Sequence, residues 1–300
     1  MTGHQSPLIF YSSGKISRLP DLILIGFLLL VGVWIAIRAS TLPQYDWNWS
    51  LLLKFLVIDK NGTKEPGLLA KGLGMTLRVG FWTILVSFVC GAPIGAFAAR
   101  SKSFASFVIQ LYINIIRNTP PLVFLFVIYF FAGQILPVTS INNFVHSLPQ
   151  PVPDCVKYVF ASPDQMDRML SALIALGMYQ GAYIAEIVRA GIESVPRGQW
   201  DAALALGFPH WRALVAVILP QAARLMIPPL TGQATTTIKD SALVAMISLP
   251  DLTFQSLEAM AVSQLTFEIW IVCALLYLLL GLACAFVGKK LEKRYASFEY

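Results

Sequence analysis

"VPRGQWDAALALGFPHWRALVAVILPQAAR", Val195 to Arg224, begins polar and glycine-broken and ends apolar, in a chain that otherwise avoids charge. Its first half has the marks of a short helix. Pro196 suits the first turn, Gly207 suits the stop, and Trp200, Ala203 and Leu204 fall on one face at i, i+3 and i+4. Pro209 starts a second helical run, Trp211 to Leu219, which Pro220 is expected to end or kink, giving an L-shaped hairpin. By itself the stretch is equally consistent with a loop helix lying on lipid. What surrounds it decides the solvent.

The 300 residues are 57% hydrophobic and 13% charged, far from the composition of a water-soluble globule. A helix crosses a hydrocarbon core about 30 Å thick with about 20 mostly apolar residues, so the intervals between charges mark the spans. Six are predicted: Leu22 to Ile37, Val79 to Ala99, Phe107 to Gly133 with Arg117 and two prolines near its centre, Met169 to Gly191, Ala222 to Asp240, and Ile269 to Gly288. The first could instead be a signal peptide, although no small-residue cleavage site follows it. The implied fold is an all-α integral membrane protein.

Lys and Arg accumulate in the N-terminal tail, after Ala99, between Arg189 and Arg224, and at the C-terminus. With six spans these segments fall together on the cytoplasmic side, and both termini lie inside. The reading divides the chain into an N-terminal tail (1–20), a first span (21–40), an external connector (41–70), a transmembrane domain (71–290) with the hairpin 195–220, and a C-terminal tail (291–300). The connector mixes interfacial tryptophans with an Asn61-Gly62 turn and should lie on the outer membrane surface. "LPQPVPD", Leu148 to Asp154, reads as a proline-stiffened external loop.

The net charge of +6 is membrane topology rather than nucleic-acid affinity, since no stacking surface is interleaved with it. Cys90, Cys155, Cys273 and Cys284 lack metal-ligand spacing, and neither an HExxH helix nor a GxSxG elbow occurs, so no catalytic or metal site is expected. In "GLLAKGL", Leu73 stands where a phosphate loop needs lysine.

Three motifs narrow the class. Asp201, Ala202, Ala203 and Gly207, followed by Val217, Leu219 and Pro220, resemble the EAA motif of ABC importer permeases, with Asp for Glu and Val for Ile as departures. "RNTPPL" at Arg117 and "IKDSALVAMISL" at Ile238 resemble the polar amino-acid branch, with Asn118 for the usual Gly and Ala242 for the usual Leu. The resemblance runs from about Gly67 to Lys290. It implies a five-helix type I importer core plus the additional N-terminal helix, in a bacterial inner membrane. It also implies a second permease, identical or paralogous, two cytoplasmic ATPase subunits that hold ATP and Mg, and an extracytoplasmic amino-acid-binding protein. No cofactor is expected on this chain.

On that resemblance the hairpin is a coupling helix, and Arg197, Gly198, Trp200, Asp201, Ala202, Ala203, Gly207 and Pro220 are its candidate ATPase-coupling residues. Charges inside spans are costly and usually face a bundle interior or water. Arg117, Asn118, Thr119 and Pro120, and Lys239, Asp240 and Ser241, are therefore candidates for the solute path or its gate. Arg117 could equally brace the kink, and Lys239 with Asp240 could be a structural ion pair. Glu186 and Arg189, at i and i+3, read as such a pair. Gly91 with Gly95, and Gly177 with Gly181, have the spacing of helix-packing contacts. A secondary transporter or channel would show inverted repeats, which are not visible, and a membrane scaffold would not need the motif spacing.

Overall fold

The structure, a computed structural model, describes residues 18–296 apart from 41–44, 46, 61, 101–102 and most of 136–151. The N-terminal tail through residue 17, most of the proline-stiffened loop and the last four residues lie outside the described residues. Two units are present, Met1–Trp47 and Asn48–Tyr300. The first contains α1, Arg18–Ser40, apolar from Leu22 to Trp34.

The second unit is helical but for one hairpin. Helix α2 (Trp49–Leu56) leads into strands β1 (Val57–Lys60) and β2 (Thr63–Pro66), which pair antiparallel with Lys60 opposite Thr63. This hairpin is a local departure from the all-α expectation in a mostly helical chain, and Gly62 supplies the positive φ, 82°, that a tight hairpin turn requires. The connector also does more than lie on a surface. Leu52 of α2 is buried against Ala259, Leu265 and Ile269.

Then follow α3 (Leu68–Arg100), α4 (Phe104–Arg117), α5 (Pro121–Ile135), α6 (Val152–Val159), α7 (Met166–Glu193), α8 (Arg197–Ala205), α9 (Leu219–Asp240), α10 (Leu252–Ser263) and α11 (Thr266–Ala296). Among the described residues four helices are long and apolar enough to cross a membrane, and α4 with α5, bent by 109°, supplies a fifth if it counts as one span. The expected third span is thus broken. Pro120 and Pro121 lack the N–H groups that would continue the helix, and its last turn is closed by Asn118 Nδ2 and Thr119 Oγ1, which donate back to the Asn114 and Ile115 carbonyls at 2.8 Å.

Helix α7 is the axis of the unit, and 72% of its most apolar window is buried, against 11% for α11. Near one end it meets α3, α5 and the segment after α9 through Met169, Leu173, Leu176, Val79, Leu125 and Val244. Near the other it meets the base of α9 through Ile184, Val188, Ile192, Ile218 and Ala222. The glycine pairs do pack helices: Gly91 lies on the Gly181 backbone and Gly95 on that of Ala185, so α3 and α7 touch main chain to main chain. Small residues at four-residue intervals permit this approach.

Helix α3 begins at Leu68, well before the expected boundary at Val79, and its 33 residues run about 50 Å, longer than a hydrocarbon core. Arg78 sits inside it because its guanidinium is used, donating to the Gly74, Lys157 and Phe160 carbonyls. Trp82 stacks on Phe160 and donates to the Val159 carbonyl at 3.0 Å, so α6 is tied to α3.

Between α9 and α11, outside the spans, Asp251 is fully buried and caps α10, accepting from the Phe254 N–H at 2.9 Å and the Tyr277 hydroxyl at 3.0 Å. Lost hydration pushes its carboxyl up to about 6, against the pull of those hydrogen bonds. A folded value above the ~3.9 of an unfolded aspartate favours the native state in its protonated form. That contribution, about 3 kcal/mol, is present below pH ~4 and is lost as the pH rises through about 6. The thermal midpoint of the purified protein should fall between pH 4 and 7, and Asp251→Asn should flatten the profile. An unchanged slope in the variant would assign the effect to another group.

Candidate functional site

The motif stretch builds a compact elbow. Helix α8 starts behind Pro196 and stops in a Schellman turn, with the Gly207 N–H donating to the Leu204 carbonyl at 2.9 Å and the Phe208 N–H to the Ala203 carbonyl at 3.2 Å. Gly207 has φ 83°, as its place at the stop predicts. Pro220 behaves differently from expectation. After a helical turn at His210–Ala213, residues Leu214–Ile218 form a π turn, in which the Leu219 N–H reaches the Leu214 carbonyl, and the helix continues through Pro220 into α9. The wider turn takes up the proline that an α-helical ladder would reject. The second arm is therefore one helical run from His210 to Ile247, and any movement of the elbow is carried directly into a span.

The faces of α8 are also settled by packing. Trp200 packs against the cluster of Val195, Ile218 and Ala222, and Ala203 is buried. Gln221 of α9 donates to Gln199 at 3.3 Å and to the Val217 carbonyl at 2.9 Å, joining the two arms. The apolar side that the sequence suggests for a partner is thus occupied by the protein itself. Outward point Gly198, Ala202, Ala205, Leu206 and Gly207, with Leu206 78% exposed, while Arg197 and Asp201 are exposed at the edge between this face and the inner side of α8. Leu206 is not among the individual residues singled out from the sequence. The available signal was its position after Ala202 and Ala205 on the i, i+3, i+4 row opposite Trp200.

Arg117 faces α7. Its Nη1 lies 3.6 Å from Glu186 Oε1, its guanidinium stands over the Tyr183 ring at 5.3 Å, and its carbonyl accepts from the Tyr183 hydroxyl at 3.3 Å. Glu186 also receives two bonds from Arg189, at 2.8 and 3.0 Å, and Arg189 extends to Glu193 at 2.7 Å. The Glu186–Arg189 pair is present as expected, and Arg117 joins it. In this arrangement Arg117, Asn118, Thr119 and Pro120 shape the bend and fasten it to α7.

Lys239, Asp240 and Ser241 do not act together. Asp240 turns inward and accepts from Gln180 Nε2 at 2.8 Å, while the Gln180 carbonyl oxygen accepts from the Gln233 amide. Gln180 is fully buried, so α7 and α9 are linked by a polar chain that composition did not announce. Ser241 is buried and donates to the Ile238 carbonyl at 2.7 Å. Lys239 points outward and, among the described residues, forms no ion pair with Asp240. Below it on the same side of α9 run Thr235, Thr236, Thr231 and Gly232, lining a groove of about 390 Å³ shared with Lys289 and Glu292 of α11. The groove gives an apolar span one polar face.

Residues 91–297 match the family model of the binding-protein-dependent transport system inner membrane component. The chain is 33% identical over 231 residues to the glutamine transport system permease protein GlnP of Escherichia coli strain K12, covering 76% of this chain and 92% of that protein. It is 31% identical over 209 residues to the glutamate/aspartate import permease protein GltK of Escherichia coli O157:H7, covering 69% and 80%. Among solved structures it resembles an amino acid ABC transporter with histidines, at 30% identity and a TM-score of 0.59 over 76% of this chain and 94% of that one. The inward-facing MetNI methionine ABC transporter, at 19% identity and a TM-score of 0.60 over 76% and 96%, shares the fold.

Proposed function

Because the chain belongs to the family of binding-protein-dependent transport system inner membrane components, we propose that it is the permease subunit of an ATP-driven importer of polar amino acids. It sits in the bacterial inner membrane with both termini in the cytoplasm, and α1 is its sixth span. A second permease, identical or paralogous, completes the path; two ATPase subunits hold ATP and Mg; an external binding protein delivers the solute. The relatives named above, permeases for glutamine and for glutamate and aspartate, support the substrate class.

One observation carries the coupling role of α8: an exposed leucine on a strip of small residues, Gly198, Ala202 and Ala205, at the tip of an elbow continuous with a span. A 78%-exposed Leu206 beside alanines is a contact waiting for a partner surface, with Arg197 and Asp201 at its rim. Trp200, Ala203 and Pro220 serve the same function from behind by stiffening the elbow, so closure of the ATPase pair would rock α9 between inward and outward states. Leu206→Asp is expected to abolish copurification of the ATPase while leaving the permease folded, because the side chain is outside every buried cluster. Copurification at the wild-type level would remove α8 as the docking element.

Lys239 is the proposed solute-path residue, at the head of the threonine-lined groove. An exposed Thr236 hydroxyl and the Lys239 cation in a span demand water or a polar partner. Asp240 and Ser241 hold that part of α9 in place, and the bend at Arg117, Asn118, Thr119 and Pro120 supports α7 beside it.

A further inference from the structure

We propose that the cavity behind α8 is a cytoplasmic binding site for a small zwitterion, a molecule bearing an ammonium and an anionic oxygen group a few bonds apart. The cavity holds about 820 Å³ and lies between the ends of α3 and α7, the start of α4 and the inner side of α8. That is the size of a small-molecule site. Its walls carry both signs of charge. Arg197 and Asp201 line it one helical turn apart, where Cβ atoms stand about 6 Å from each other. Among the described residues neither enters an ion pair. The order is the weaker one for pairing along a helix, with the cation preceding the anion.

Trp200 and Phe107 provide aromatic walls, and Ser103 and Gln110 add hydrogen-bonding groups. Glu193 also lines the cavity, but its carboxylate is held by Arg189 at 2.7 Å, so a simple anion would meet Asp201, a simple cation would meet Arg197, and an apolar molecule would pair with neither. A zwitterion answers both. Two sources offer this chemistry. A free amino acid could enter from the cytosol. The headgroup of an aminophospholipid could enter from the inner leaflet, since Phe107 belongs to the exposed apolar row Phe104, Phe107, Leu111 and Ile115 on α4. The occupant would sit on the opposite side of α8 from Ala202 and Leu206, so it and the ATPase could be bound together, and it would set the stance of the elbow.

The test uses the complete complex with its ATPase, without the binding protein. One arm measures equilibrium binding of L-glutamine in phosphatidylglycerol nanodiscs. The other counts phosphatidylethanolamine molecules retained from mixed phosphatidylethanolamine and phosphatidylglycerol nanodiscs by native mass spectrometry. One arm should be positive, identifying the source, and Arg197→Gln and Asp201→Asn should each weaken that binding about tenfold or more. Gln110→Leu, on α4 and outside the coupling surface, should weaken it as well, and carries the comparison if the α8 variants do not assemble. Lys239→Met should leave it unchanged. Absence of binding in both arms, or indifference to all three cavity variants, overturns the proposal. So does binding lost in Lys239→Met alone, which would place the zwitterion on the solute path instead and leave the transport reading standing.

Discussion

Gly95→Leu is expected to prevent accumulation of folded protein. At Gly95 a Cβ would collide with the Ala185 carbonyl, and at Gly91 with that of Gly181, both backbone atoms of the buried helix α7. Overpacking a core usually costs about 1–3 kcal/mol, because side chains shift to make room. Here the obstacle is main chain held by its own helical hydrogen bonds, so α3 and α7 must separate along their contact and the cost should exceed about 3 kcal/mol. Gly74→Ala is the matched control: it lies in the same helix with open space around it, and should be neutral or stabilise by up to about 1 kcal/mol. Thermal unfolding in detergent reads both. Equal midpoints for Gly95→Leu and wild type would mean that the helices are not in contact there.

Lys239→Met should reduce uptake by about tenfold or more while the complex assembles normally, on the scale of one lost charge-assisted contact. The inward bond of Asp240 to Gln180 makes this a sharper test than the sequence allows. Were Lys239 and Asp240 a buried pair, neutralising the lysine would strand the aspartate and cost stability, and neutralising both would restore it. With Asp240 satisfied by an amide instead, Lys239→Met should leave the thermal midpoint in place, and Lys239→Met with Asp240→Asn should recover no transport. Recovered uptake in the double variant would return both residues to a structural role. Uptake by the assembled complex in vesicles, with the binding protein supplied, is the measurement.

Much of the architecture was legible because it follows from local rules. Apolar length between charges located four long helices and the bent α4–α5 pair but does not establish the count of six, four-residue glycine spacing located the α3–α7 crossing, and Pro196 and Gly207 bounded α8. Each of these is a one-dimensional signal: a lipid core imposes a length, a close crossing imposes small residues, and a left-handed turn imposes glycine. The Asn-Gly hairpin was visible as a turn but not as paired strands, because pairing depends on which residues meet across it.

The sequence by itself determined that the chain lives in a membrane and, through the spacing of Asp201, Gly207 and Pro220, to which family it belongs. Tertiary structure alone decided which way the side chains of that motif face. Trp200 is half-buried against the cluster of Val195, Ile218 and Ala222 and Ala203 is buried, while Leu206 is left outside, although a helical wheel alone assigns the apolar face to whichever surface arrives first. It also decided that Pro220 continues a helix, since the π turn before it is affordable only where neighbouring helices hold Leu214 and Ile218 in place. And it separated Lys239 from Asp240. Adjacent residues on a helix diverge by about 100°, and only the position of Gln180 on another span fixes which of the two turns inward.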